Sequence, residues 1–394
     1  MALDKEHYEG RSQALVKHTF LHYYLPALVN KVCSSRDTFV YVDGFAGPWQ
    51  SGDEEKFADT SFGIALNAMA GAKLIQKKRG HNVTMVAHLV EKADASYAKL
   101  QDLARKFPTI DVHTYHGEFY QKLPTILSRL PPSGFCFSFI DPKGFLDLGL
   151  LQPLLVRQSS EVLINFMFDF VNRFVEHPNQ SIIDTMNSLI PGAVWRDHLN
   201  VANAMGASSK EREAILVQAF RSGLSQIGNY DYVASLVVQK PLADRTLYHL
   251  VFGTRSSEGL NVFRDSQVAA LKAQADVRTS EKSKAKAAKS GQSDLFGGAD
   301  AVQIDPSSRE IEEGRTNGPA YAKELIDASQ SGILWSKLWP QVLTKFTIRR
   351  SELGRAVNEM RQAGKITAPD WPSERHKIPP DAQLLKPLSS QLKK

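Results

Sequence analysis

The residues best suited to chemistry stand where β-like runs stop. TFVYVDGF places Asp43 at the end of one apolar run, and TMVAHLVEK places Glu91 at the end of the next. DVHTYHGEF then places Gly117 and Glu118, FCFSFIDPKGF places Asp141, and EVLINFMFDF places Asn165. An ionised carboxylate only accepts hydrogen bonds and can take two vicinal hydroxyls at once, which suits Glu91 to the ribose of a nucleotide. Asp43 suits the amino group of a methionine-like moiety, and Gly117-Glu118 suits the exocyclic amino group of an adenine. Each has a plainer reading, since Asp43 can close a strand–turn–helix and Glu91 can pair with Lys92. Asp141, Pro142 and Phe145 supply a carboxylate, a backbone carbonyl and an aromatic face in the order that methyl transfer to an exocyclic base amine needs. Asp-Pro-x-Gly is also a good turn sequence.

YVDGFAGPWQSG, residues 41–52, separates the nucleotide-binding classes. Its glycines fall at 44, 47 and 52, so it holds neither a Gly-Lys-Ser/Thr phosphate loop nor the Gly-x-Gly-x-x-Gly of a dinucleotide site. That argues against a nicotinamide oxidoreductase. Gly47 lets the backbone pass close to a ligand, and Pro48 stiffens the exit from the turn. No His-Glu-x-x-His and no Gly-x-Ser-x-Gly occurs, so neither a catalytic zinc nor a serine elbow is expected. Cys33 and Cys136 lack metal spacing, and neither is placed beside a proline for attack on cytosine carbon-5.

The elements that must position these groups follow from periodicity. Residues from about 8 to 33 read as a helix, with Leu15, Phe20, Leu21, Tyr24, Leu25 and Leu28 at spacings of three and four. The five strand-like runs alternate with helical stretches and are nearly continuous in apolar residues, which predicts a parallel sheet covered on both faces. Ligands bind beyond the carboxyl ends of such strands, so the polar residues ending them would line one crevice. Residues 172–230 read as a helical insertion. TLYHLVFGTRSSEGLNVFRD, residues 246–265, reads as two strands around a Ser-Ser-Glu-Gly turn. Residues 277–299 are rich in Ser, Lys, Ala and Gly and read as a linker or mobile loop.

Lys17-His18, YVDGFAGP, TSFGIALNA, LVEK and FIDPKGF together resemble the three-Cys-motif partner (TcmP) family over residues 10 to 265. That family is similar to S-adenosylmethionine-dependent Rossmann methyltransferases, including ribosomal-RNA adenine methyltransferases. The resemblance implies that Lys17 and His18 lie near the donor's carboxylate, that Asp43, Phe45, Gly47 and Pro48 form its first loop, and that Glu91 holds the ribose. It puts Asp141-Pro142 in the catalytic position. Two departures stand out. Trp49 occupies a position usually held by Gly, and Lys143-Gly144 intervene before Phe145, where amino-methyltransferases commonly carry Asp/Asn-Pro-Pro-aromatic.

The formal net charge of +6 is concentrated at one end of the chain: residues 345–394 hold 11 Lys/Arg against 5 Asp/Glu. KFTIRRSELGRAVNEMRQAGKI puts Leu353, Val357 and Met360 on one helical face and Arg349, Arg350, Arg355 and Arg361 around the rest. With WSKLWPQVL before it and TAPDWPSERHKIPP after it, this reads as a helix-turn-helix with a wing, Arg375, His376 and Lys377 lying near the wing's tip. Such arginines suit phosphates and guanine edges, although the same fold also serves protein contacts.

The expected organisation is α/β. An N-terminal helix (1–35) leads into a Rossmann-like class I methyltransferase domain (36–270) with its helical insertion, then a linker (271–317) and a winged-helix-like domain (318–394). The expected activity is S-adenosylmethionine-dependent methyl transfer to a base amine of DNA or RNA. In it Asp141 and the Pro142 carbonyl orient the amine, Phe145 stacks the base, and the amine attacks in line. The alternative is a non-catalytic partner that binds nucleic acid or a three-Cys radical-enzyme neighbour. The polar N-terminus and the lack of a long apolar run argue against a secretory signal and a membrane span. With so few cysteines, a reducing cytoplasm is the expected location.

Overall fold

Runs of Val, Ile, Phe and Tyr become buried parallel strands when helices cover both faces of the sheet. That is the arrangement of residues 12–166 in the computed structural model of the chain. The structure describes residues 8, 11–47, 51, 57, 59–192, 194–290, 304–369, 371 and 377–388. They divide into two units, Met1–Ser256 and Ser257–Lys394.

In the first unit α1 (Ser12–Cys33) precedes β1 (Thr38–Asp43). Then α2 (Ser61–Lys78), α3 (Asp94–Ala104), α4 (Phe119–Arg129) and α5 (Leu148–Leu155) alternate with β2 (Thr84–Glu91), β3 (Asp111–His116), β4 (Phe135–Ile140) and β5 (Ser160–Phe166). Four helices follow, α6 (Phe168–Phe174), α7 (Gln180–Leu189), α8 (Val194–Ala204) and α9 (Ser209–Gly228), before β6 (Tyr232–Gln239) and β7 (Thr246–Thr254). The sheet order is β3-β2-β1-β4-β5-β7-β6. The first five strands are parallel, while β7 runs antiparallel to both β5 and β6. Successive connections leave β1 in one direction as far as β3 and then resume on its other side at β4. The β1/β4 junction is therefore the switch point at which an open α/β sheet leaves a crevice. Register fixes what surrounds it: Asp43 lies opposite both Leu89 and Phe139, and Glu91 opposite His116.

Local signals set the helix starts. The Thr60 side chain accepts from the Gly63 N–H at 3.1 Å to cap α2, and Ser208 with Glu211 forms a capping box on α9. One core continues from β1, β4 and β5 into the helical insertion through Trp195, Leu199, Leu216 and Phe220.

In the second unit α10 (Ser257–Ser290) and α11 (Pro306–Ala328) precede β8 (Ile333–Leu334), α12 (Trp335–Lys345) and α13 (Arg350–Gln362). The strands β9 (Ile366–Thr367) and β10 (Leu384–Pro387) join β8 in a small antiparallel sheet of order β8-β10-β9. Trp335, Leu338, Trp339, Leu353 and Val357 form its apolar centre. Polar pins join its helices: Thr347 donates to Glu310 at 2.7 Å, Gln274 to Ser307 at 2.8 Å, and Arg278 pairs with Asp305 at 2.8 Å. A glycine is required at 314, because a Cβ there would sit 2.0 Å from the Thr347 carbonyl oxygen.

Three sequence expectations are corrected here. The strand Thr246–Thr254 pairs with the preceding β6, which the sequence reading assigned to no element. Ser257–Asp265 is the start of α10 and not a second strand, because Leu260, Phe263, Gln267 and Leu271 recur at helical spacing and are all buried. The expected linker from 271 is helical to Ser290, since its Ala, Lys and Glu are strong helix formers and no Gly or Pro interrupts it before Gly291. Helix resumes at Pro306, ahead of the expected boundary at 318. Among the described residues no helix is long and apolar enough to cross a membrane. None of their His, Cys, Asp and Glu residues group as a metal site.

Glu161 on β5 is buried between two hydroxyls, with Tyr24 donating to Oε2 at 2.5 Å and Thr254 to Oε1 at 2.7 Å. Burial pushes its carboxyl up from 4.5 to about 7 against the pull of these donors. The folded chain therefore holds this proton more tightly than the unfolded chain. The group's stabilisation is complete below about pH 4.5 and is lost as the pH rises through about 7. Glu161→Gln should flatten the fall in melting temperature across that window, and an unchanged slope would contradict the assignment.

Candidate functional site

Asp43 ends β1 and is 0% exposed. Oδ1 accepts the Phe45 N–H at 3.0 Å, and Oδ2 accepts the Tyr41 hydroxyl at 3.0 Å and the Ser61 hydroxyl at 2.9 Å. Burial raises its carboxyl to about 6, the three hydrogen bonds work against that, and nearby Asp141 adds to it. The carboxylate thus fastens the first loop to the start of α2. The Phe45 ring packs on Phe119 at 5.8 Å, and Gly47 is half-buried. Pro48 and Trp49 lie outside the described residues.

Glu91 ends β2 and is 5% exposed. Its Oε1 accepts the Ala93 N–H at 2.6 Å, while Oε2 takes no hydrogen bond from the described residues. A vacant acceptor on a fixed carboxylate is what a sugar hydroxyl needs. The surface pairing with Lys92 falls instead to Glu118, at 3.2 Å. Gly117 donates its N–H to the Glu91 carbonyl at 3.0 Å with φ of 129°, which a glycine adopts readily. Glu118 itself is exposed.

A further polar contact joins α1 to the ends of β4 and β5. Lys17 Nζ lies 2.5 Å from Asp141 Oδ2, and Asn165 Nδ2 donates to Asp141 Oδ1 at 2.6 Å. Because an ionised carboxylate only accepts, the Asn165 amide must present its nitrogen there. Its Oδ1 is then buried with no hydrogen-bond partner among the described residues. Tyr248, whose hydroxyl donates to the Gln13 carbonyl at 2.8 Å, stands nearby. Burial first, and then the charge of Asp141, hold its phenol well above the ordinary range. His18 points elsewhere: its Nδ1 meets the Tyr8 hydroxyl at 3.0 Å. Burial, then Lys17, depress its pKa well below 6.5, so it brings no charge to the site.

Pro142 is buried. Phe145 does not stand alone as a stacking face, because Phe170 packs against it in a T-shaped contact at 4.9 Å and Phe174 does so at 5.8 Å. Tyr248 and these two rings were not among the sequence's site candidates. Asn165 was visible as a polar strand end, but its pairing with Asp141 across 24 residues carries no local signal.

In the second unit three of the six expected nucleic-acid contacts, Arg349, Arg350 and Arg361, are engaged internally. Arg350 pairs with Glu258 at 2.9 Å and with Asp381, and its guanidinium lies over Trp339. Arg349 lies 3.7 Å from Asp265, and Arg361 lies over Trp371 at 4.5 Å. Arg355 and Lys377 are exposed and make no ion pair among the described residues, whereas Arg375 and His376 fall outside them.

The Lys17–Asp141 contact is open to a double-mutant cycle. Unfolding of Lys17→Met, Asp141→Asn and the combined variant should give a coupling of roughly 0.5–3 kcal/mol. Additive single effects would mean that the pair contributes nothing.

No family model and no curated protein matches the chain. Among solved structures, the chain aligns with a loganic acid methyltransferase with SAH at 8% identity. The alignment covers 72% of this chain and 92% of that one, with a TM-score of 0.29.

Proposed function

We propose that the first unit is an S-adenosylmethionine-dependent methyltransferase-like domain of the three-Cys-motif partner type, acting on an exocyclic base amine of nucleic acid. The observation that carries this reading is the placement of Asp43, Glu91 and Asp141 at the carboxyl ends of β1, β2 and β4, around the switch point of a sheet whose β7 is antiparallel. The residues present fit the donor. Glu91 keeps an acceptor for a ribose hydroxyl, Asp43 shapes the loop that would run beside it, and Lys17 offers an ammonium to a carboxylate. When bound, the donor supplies an electrophilic methyl group on its sulfonium.

The chain's own residues do the rest. Asp141 and the Pro142 carbonyl accept the hydrogens of the incoming amine, and Asn165 holds the Asp141 carboxylate in place through its amide nitrogen. Lys17 and Asn165 take one acceptor site on each Asp141 oxygen, and a ligand carboxylate that drew Lys17 away would free a further one for the amine. Most of the rate would come from positioning. The occupied Asp141 also favours a second reading, a non-catalytic partner that keeps the pocket as a scaffold for a three-Cys neighbour. The second unit, with α12 and α13 followed by a short antiparallel sheet, suits a winged helix that docks nucleic acid through Arg355 and Lys377.

Calorimetric titration with S-adenosylmethionine should reveal one site, weakened tenfold or more in Glu91→Ala. Asp141→Ala should keep donor binding and lose transfer to an RNA or DNA pool. Donor binding with no transfer by the unaltered chain favours the scaffold reading, and absence of donor binding refutes both. Arg355→Glu with Lys377→Glu should lower the log–log salt slope of nucleic-acid affinity by about 2.

A further inference from the structure

We propose that the carboxyl edge of the first unit carries its own site for single-stranded nucleic acid, in which Phe145, Phe170 and Phe174 take an unstacked base while Arg173 and Arg245 take the adjoining phosphates. This rests on the reading above that a base amine is the acceptor, and it adds a substrate grip outside the second unit.

Three facts place these groups together. α6 begins two residues after β5 ends, and Phe145 follows Asp141 by four residues in the loop after β4. The hairpin turn between β6 and β7 lies at the same edge, because β6 runs parallel to β5. Lys240 and Arg245 close that turn, with the Lys240 N–H donating to the Arg245 carbonyl at 2.9 Å.

The aromatic part is only partly covered, with Phe145 packed against the core of the unit. Phe166 and Phe168 are buried, but Phe145, Phe170 and Phe174 are all half-buried. Their centroids lie 4.9–5.8 Å apart and their planes are inclined by 55–63°, so they form an angled apolar patch and not a closed stack. Stacking on aromatic side chains is sequence-tolerant, because every base has a π-face.

The charged part is layered. Asp169 accepts from Arg173, Lys240 and Arg245, each at 3.1 Å. Its side chain is 14% exposed, whereas those of Arg173 and Arg245 are 65% and 69% exposed. The anion thus lies underneath and the guanidiniums face outward. Burial opposes ionisation of Asp169, but the three cations hold its carboxyl below the usual range, so the layer persists at neutral pH. Arg245 spends one nitrogen on Asp169 and keeps donors for a phosphate. Of the other acids nearby, Glu176 is held by Arg212 at 3.0 Å, and Asp244 shares the hairpin turn with Arg245. A single strand offers a free base face beside a phosphate. A duplex hides the face, and an acidic peptide lacks it.

The test uses the full chain and fluorescein-labelled 20-nucleotide single strands, one RNA and one DNA of the same mixed sequence, titrated at several salt concentrations. Arg173→Gln with Arg245→Gln should weaken one or both strands at least tenfold and lower the log–log salt slope by about 1–2. Phe170→Leu and Phe174→Leu keep apolar volume and should weaken binding by roughly 5- to 150-fold with the slope unchanged. Arg355→Glu with Lys377→Glu provides the comparison for docking by the second unit. Affinity and slope within twofold of the unaltered chain in both sets of variants would overturn the proposal. So would equal affinity for a duplex of the same sequence or for a deca-glutamate peptide. S-adenosylmethionine titrated on the same samples separates the two claims: donor binding with unresponsive strands removes only this site, and responsive strands without donor binding remove only the methyltransferase reading.

Discussion

A lysine from the first helix, an aspartate after the fourth strand and an asparagine on the fifth meet in one contact, and the geometry of the edge depends on it. Asp141 is only partly exposed, and both its oxygens are taken, by Lys17 and by Asn165. Removing a single partner from a sheltered charge leaves the other to be desolvated alone, and that asymmetry makes such a pair a constraint even where its net contribution is small. Through it α1 is tied to the strand ends at a point 124 residues away in sequence. On the proposed function, the carboxylate that would receive the amine is also the one holding the helix down.

Asp43 carries a different burden. A fully buried carboxylate needs donors, and it has them in Tyr41, Ser61 and the Phe45 N–H. All three come from its own strand, loop and following helix, so the residue shapes the loop from within. Among the described residues, Glu91 is fixed through one oxygen. Two carboxylates at neighbouring strand ends are therefore specialised by their surroundings, one as a brace and one as an open acceptor.

Much of the first unit was legible because burial on both faces leaves near-continuous apolar strands. The five parallel strands were read directly, with Asp43, Glu91 and Asp141 at the ends of β1, β2 and β4. By contrast, β3 stops at His116, short of Glu118, and β5 runs past Asn165 to Phe166. β6 was missed because it follows a long helical stretch and, among the described residues, pairs with β7 alone at the sheet edge. The start of α10 was misread because Ser-Ser-Glu-Gly serves a helix beginning as well as a turn. The Ser/Lys/Ala tract was misread because low hydropathy says nothing against a helix when Ala and Lys dominate. At the site, the residue types could be read locally but their pairings could not. Nothing in the spacing of Lys17 and Asp141 announces that they touch, and nothing near Phe145 announces Phe170 and Phe174. The arginines of α13 show the same limit, since a helical wheel marks Arg350 as a surface cation while Glu258 and Asp381 claim it.

Whether the strand-end carboxylates surround a sulfonium nucleoside decides what the first unit does. A crystal structure with S-adenosylhomocysteine tests this most directly. The expected result is ligand at the β1/β4 switch point, its ribose hydroxyls on Glu91, and Lys17 drawn off Asp141 to the ligand's carboxylate. Ligand bound away from these strand ends, or Glu91 facing no sugar with the Lys17–Asp141 contact intact, would contradict it.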